Sequence, residues 1–164
     1  MDFIDLGSLT LNIFNKDNKD DLCFAKRLFN DASIKKWFSG MADVLKKNSN
    51  GYLLGHGFIV KEYDLYVGYI GIGNYSNSEQ AVYLRAAIDG GLRGMGYGSR
   101  LLNEISEYIF LNFPMVKCIK LKIDKKNINS IKTATSCKYK PLRDDFYVRY
   151  NPYKNKCKTK KNEF

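Results

Sequence analysis

Between Ala81 and Phe110 the sequence reads AVYLRAAIDGGLRGMGYGSRLLNEISEYIF. An apolar run with strand character enters a glycine-dense turn and leaves it as an amphipathic pattern. Strand, glycine turn and helix start together present consecutive backbone N–H groups to a phosphate. Glycine permits the positive φ angles and close backbone approach that such a cradle needs, and the dipole of the following helix favours negative charge at its N-terminal end. A ligand carrying phosphates is therefore expected at Arg93-Gly94-Met95-Gly96-Tyr97-Gly98. Two familiar glycine motifs do not fit. The dinucleotide pattern GxGxxG, started at Gly94, meets Ser99 where its third glycine belongs. The P-loop pattern, started at Gly91, meets Tyr97 and Gly98 where Lys and a hydroxyl belong.

The rest of the chain reads as one mixed domain. Leu9–Phe14 alternates as a strand; Asp20 or Asp21 caps a helix bearing Leu22, Ala25, Leu28 and Phe29; Asn30–Ser33 breaks it before Ile34, Trp37 and Phe38. Met41–Lys47 reads as a further short helix. Phe58–Tyr63 and Leu65–Ile72 form a hairpin around Asp64. Ala81–Ile88 is the next strand, Ser99–Phe110 a helix, and Val116–Asp124 a strand that is parallel to its neighbour because a helix connects them. Asn127–Cys137 is a short helix; Tyr139–Leu142 and Phe146–Tyr150 close the fold as a hairpin. At 164 residues one domain is expected, residues 1–150, followed by a basic tail, 151–164, with little apolar content.

Composition narrows the partners. The net charge of +10 disfavours polycationic substrates and suits RNA, the ribosome or the phosphates of a coenzyme. Four cysteines without paired spacing and a single histidine exclude a His-rich metal site, so no metal is expected. No apolar run approaches bilayer length. MDFIDLGSLT also lacks the basic start and apolar block of an export signal, so reduced thiols in a cytoplasmic protein are the expectation.

Arg-x-x-Gly-x-Gly, from Arg93 to Gly98, resembles the pyrophosphate-binding motif of the GNAT superfamily of acetyl-CoA-dependent N-acetyltransferases, and the order of elements is similar to that fold. Asn127 through Ala134 to Lys138-Tyr139 resembles the family's late segment, with Lys138 in place of the usual Gly and Tyr139 in place of Phe. Within the superfamily, Asp31 to Trp37 resembles the branch that acetylates ribosomal-protein N-termini. The resemblance implies an α+β fold with a central mixed sheet splayed at the coenzyme site and helices on both faces. It implies that Arg93, Gly94, Met95, Gly96, Tyr97, Gly98 and Ser99 wrap the pyrophosphate of acetyl-CoA. Ala86, Ala87 and Ile88 would pair with the pantetheine arm, and Asn127 would bond the arm or cap its helix. Homodimers are frequent among such proteins.

Direct acetyl transfer to an amine requires a neutral amine, N–H groups for the oxyanion (those near Ile88) and a tolerable leaving thiolate. The resemblance puts Tyr83 where many relatives carry a catalytic Glu, and Ala134 where others carry a Tyr acid. Tyr83 is therefore the catalytic candidate, with Glu79, His56, Tyr139, Tyr147 and Tyr150 as alternatives. An α-amine, with a pKa of about 8, needs less help to deprotonate than a lysine. The expected activity is acetyl-CoA-dependent N-acetylation of a primary amine, foremost a protein N-terminal α-amine. The alternatives are a tRNA-directed toxin that acetylates aminoacyl-tRNA, or a non-catalytic acyl-CoA- or RNA-binding module on the same fold.

Overall fold

The structure is a computed structural model, and it describes residues 3–38 and 53–154. The helix expected over Met41–Lys47 lies outside the described residues. Eight strands form one sheet in the order β1-β2-β3-β4-β5-β6-β8-β7. They are β1 (Phe3–Asp5), β2 (Thr10–Ile13), β3 (Gly57–Glu62), β4 (Leu65–Ile72), β5 (Ala81–Ile88), β6 (Cys118–Lys122), β7 (Lys140–Pro141) and β8 (Phe146–Tyr150). Every neighbouring pair is antiparallel except β5 and β6. That exception follows from the crossover through a helix, as expected. The edge strand β1 was not anticipated: three residues are too few to show an alternation.

Among the described residues four helices flank the sheet: α1 (Lys19–Asn30), α2 (Ala32–Lys35), α3 (Tyr97–Asn112) and α4 (Ile128–Ser136). The cap of α1 is Asn18, not Asp20 or Asp21: Asn18 Oδ1 accepts from the amides of Asp20 at 2.9 Å and Asp21 at 3.2 Å. The two aspartates occupy the first turn, where the helix dipole favours them. Asp31 caps α2, accepting from the Ser33 amide at 2.8 Å. α3 starts two residues before the expected Ser99, because Gly96 adopts the left-handed conformation (φ 84°) and hands over directly to Tyr97.

The sheet separates two apolar layers, as its alternation requires. On one face Phe58, Val60, Ile70, Val82, Leu84 and Ile119 pack with Leu101, Ile105 and Ile109 of α3 and Ala134 of α4. On the other, Ile59, Tyr69 and Ala87 pack with Phe24, Leu28 and Phe29 of α1 and Ile34 of α2. Helices on both faces of a mixed sheet are the architecture expected. The body also runs past Tyr150, where the tail was expected to begin. Asn151 is buried and its Nδ2 donates to Val116 O at 2.9 Å, and Lys154 Nζ reaches Met115 O at 3.2 Å.

Candidate active site

The β5–β6 ladder runs from Ala81↔Cys118 to Leu84↔Leu121 and stops there. β5 continues to Ile88, still paired to β4 through Gly68↔Ile88. On the far side, the Ile123 amide donates to Asp145 O at 2.8 Å, so the chain leaving β6 turns toward the β7–β8 hairpin instead of back to β5. The sheet is thus parted beyond Leu84.

The direction of the β5 backbone groups in that gap can be read from their partners. Tyr83 O accepts from the Gly73 amide at 2.8 Å and the Asp89 amide donates to Val67 O at 2.9 Å, so odd-numbered residues bond toward β4. Successive residues alternate, which aims the N–H and C=O groups of Ala86 and Ile88 into the gap. Ala87 is the correction among the three residues expected there. Its backbone faces Gly68, where a Cβ would lie 2.2 Å from Ala87 O, and its side chain is buried under α1.

The glycine turn stands at the mouth of the gap. Gly94 and Gly96 have φ of 77° and 84°, and a Cβ on either would meet nothing within 4 Å, so conformation rather than space demands glycine. The amides of Gly94, Met95, Gly96, Tyr97, Gly98 and Ser99 have no acceptor among the described residues, and Arg100 is the first to bond, to Gly96 O at 3.0 Å. Four unsatisfied N–H groups are usual at a helix start; here the preceding turn extends the row. Gly98 brings this start close to the gap: its Cβ would sit 3.9 Å from Ile88 and 3.4 Å from Thr133.

Three anchors fix the turn. The Arg93 side chain, expected among the residues that wrap the pyrophosphate, is engaged within the fold: it donates to Ser33 Oγ at 2.5 Å and Asp31 Oδ2 at 3.4 Å across the α1–α2 junction. Asp89 accepts from the Gly91 amide at 3.0 Å and pairs with Arg27 at 2.5 Å. Glu62, at the end of β3, accepts from Tyr97 Oη at 2.5 Å and from Arg100 at 2.7 Å. Those two bonds, the side-chain one from Tyr97 first, hold the Glu62 carboxyl below the usual range. A carboxyl depressed in the folded state contributes stability above its unfolded pKa of about 4.3, and that contribution is lost as the pH falls through the folded value. Glu62→Gln is therefore expected to lower the melting temperature at pH 7 and to flatten its fall as the pH drops below about 4.3, a comparison that thermal melts on either side of that pH would make. Sequence reasoning missed Glu62 because its partners lie 35 and 38 residues away.

Asn127 takes the capping role: its Oδ1 accepts from the Ser130 amide at 3.3 Å. Ser99 sits beside α4, its carbonyl accepting from Cys137 Sγ at 3.3 Å. Tyr83 lies on the α1/α2 face at the last level but one of the β5–β6 ladder. It donates to Glu79, which also binds Lys120 Nζ at 3.0 Å. The bond to Glu79, followed by burial, raises the Tyr83 pKa, while the same bond lowers that of Glu79. Tyr83 therefore keeps its proton at neutral pH. Among the alternatives, Tyr139 is ruled out by burial: it is 1% exposed, bonded to Ser106 at 2.8 Å, with its pKa raised by desolvation. Tyr147 packs on the α3/α4 side, and Tyr150 pairs with Cys118 at the closed end of the ladder, away from the gap. His56 is half-buried just before β3 and accepts at its carbonyl from Ile72. Among the described residues no group of three or more His, Cys, Asp or Glu could hold a metal, and no helix is long and apolar enough to cross a membrane.

Residues 22–139 match the profile of the Acetyltransferase (GNAT) family. The chain belongs to the GNAT acetyltransferase family. A search of curated proteins found no match, but the GNAT fold recurs among solved structures at low identity. RimL, a ribosomal L7/L12 α-N-protein acetyltransferase solved with coenzyme A, shares 14% identity at a TM-score of 0.72 over 90% of this chain and 97% of its own. The aminoglycoside acetyltransferase AAC(6')-Ib with coenzyme A shares 15% at 0.70, over 92% and 99%. Spermidine N-acetyltransferase from Vibrio cholerae, with CoA and spermine, shares 13% at 0.69, over 88% and 96%. These GNAT structures differ widely in acceptor, so the likeness shows the fold and leaves the acceptor to the residues themselves.

Proposed function

We propose that this GNAT enzyme moves an acetyl group directly from acetyl-CoA to a protein N-terminal α-amine. The observation that supports this most is the parted sheet: two strand amides aimed into a gap, with a row of unbonded turn amides at its mouth. In this reading the amides from Gly94 to Ser99 bind the diphosphate, and Ala86 and Ile88 pair with the amide groups of the pantetheine arm as an added strand would. Asn127, by holding the start of α4, shapes the opposite wall.

The neutral amine attacks the thioester carbonyl carbon. A C–N bond forms, and the carbonyl electrons move onto oxygen, where a β5 amide aimed into the gap can stabilise them. When the tetrahedral centre collapses, the C–S bond breaks. The amine's extra proton passes to water, and the thiolate of coenzyme A takes one up, so the products are an amide and the free thiol. At pH 8 about half of an α-amine is already neutral, whereas a lysine amine is almost wholly charged. An enzyme whose described candidates include no evident base is therefore better suited to the α-amine. Tyr83 serves as the proton donor to the departing sulfur.

Tyr83→Phe is expected to reduce kcat about a hundredfold with little change in KM for acetyl-CoA, the ordinary scale of general-acid help. Thiol release with N-terminal peptides, checked by mass spectrometry for acetylated N-termini, measures it. An unchanged kcat would assign Tyr83 to packing against Phe146, its edge-on neighbour at 6.1 Å. Coenzyme A binding without transfer to any amine would replace the enzyme with a binding module.

A further inference from the structure

The face of the sheet opposite α3 and α4 is covered unevenly. α1 and α2 pack against its β3–β5 part, and no described helix lies over β6, β8 and β7. Strand alternation and register bring Tyr83 and Arg85 of β5, Lys120 and Lys122 of β6, Phe146 of β8 and Lys140 of β7 to that face. The strands β5, β6, β7 and β8 contain no Asp or Glu at all. Glu79, from the preceding loop, reaches this row and is engaged by Lys120 and Tyr83. Lys122 and Lys140 are exposed and have no carboxylate partner among the described residues. Arg85 is the first residue beyond the last β5–β6 pair and Lys122 is the last of β6. The two cations therefore flank the opening on the face opposite α3 and α4.

We infer that this face selects the acceptor by charge, taking a polypeptide N-terminus whose residues just behind the amine are acidic. The inference rests on the acetyltransfer reading above and adds the chemistry of the acceptor. Carboxylates following the amine would lie against Lys122 and Lys140, whereas a polycationic acceptor would be repelled by the same pair. Aromatic rings alternate with the cations, a pattern that also suits nucleic acid, but bases stack on open ring faces. Here Lys120 Nζ lies 5.6 Å from the Tyr83 centroid, Lys122 Nζ 5.9 Å from that of Phe146, and the Arg85 guanidinium 5.4 Å from that of Phe38. Each ring already carries a cation, and an anionic peptide needs the cations and not the rings.

Three synthetic peptides test this with the full chain and acetyl-CoA: Ser-Glu-Glu-Gly, Ser-Gln-Gln-Gly and Ser-Lys-Lys-Gly. The acidic peptide is expected to exceed the neutral one about tenfold in kcat/KM at low salt, the basic one to be poorest, and the spread to shrink in about 0.5 M salt as screening sets in. Lys122→Glu should cost the acidic peptide at least tenfold and improve the basic one. Lys122→Gln should only level the three, so the inversion, unlike a folding defect, reports charge. Equal rates for the three peptides, or better rates with the basic peptide or spermine, overturn the inference. Transfer to aminoacyl-tRNA with none to peptides overturns it too and reassigns the face to nucleic acid. Calorimetry with coenzyme A alone separates the two levels. No binding sinks the acetyltransfer reading itself, whereas binding with charge-indifferent transfer sinks only the acceptor class.

Discussion

Gly96→Asp is expected to weaken coenzyme A binding about a hundredfold, close to 2.7 kcal/mol, while the protein stays folded. Asp is among the residues that tolerate the left-handed conformation of Gly96 (φ 84°), it is a favoured helix cap, and a Cβ there meets nothing within 4 Å. Its side chain can satisfy one of the free amides of α3. What it adds is a negative charge where the diphosphate is proposed to sit. Two like charges about 4 Å apart at an effective dielectric constant near 20 repel by about 4 kcal/mol before salt screening, which sets the scale of the loss. Calorimetric titration with coenzyme A, alongside a thermal melt, separates binding from folding. Unchanged affinity in a folded Gly96→Asp protein would place the diphosphate elsewhere.

Gly68→Ala should have the largest effect on stability. A Cβ at Gly68 would lie 2.2 Å from Ala87 O, and the obstacle is backbone in the middle of a sheet. β4 and β5 must separate to admit it, at a cost of about 3 kcal/mol or more, a large part of the 5–15 kcal/mol that holds a typical domain together. Gly57→Ala is the matched control. There the Cβ would strike the Tyr69 hydroxyl, 1.6 Å away, so a buried side chain must repack, but no carbonyl of the ladder has to move. Urea unfolding should rank Gly68→Ala well below Gly57→Ala, and equal midpoints would mean that the strands are not in this register.

Much of this is legible in the sequence because the signals are local. The alternation of Ile119, Leu121 and Ile123, the glycines between Arg93 and Gly98, and the periodic apolar positions after Ser99 each declare their element within a few residues. The glycine turn proposed to hold the coenzyme is legible for the same reason. The remainder depends on partners far along the chain. Where the β5–β6 ladder ends is decided by Ile123 bonding to Asp145, a contact that no stretch around Ile123 announces. That Asp31 and Ser33 would hold Arg93, 62 and 60 residues on, has no local signature either. Tyr83 and Tyr139 are alike as letters. One is poised on a hydrogen-bonded face and the other is sealed in the core by the closing hairpin, and only tertiary packing tells them apart.

The division of labour along the chain has a consequence for how such a protein can diversify. Everything proposed to handle the acetyl donor comes from one continuous run, Ala81 to Ser130, folded around the parallel pair. To Lys122 of that run, the walls proposed to face the incoming amine add β7 and β8 near one terminus and α1 and α2 near the other. Substitutions in those outer segments can change which amine is welcomed without disturbing the donor machinery. A lineage built this way can wander across acceptor chemistries while its central run stands still.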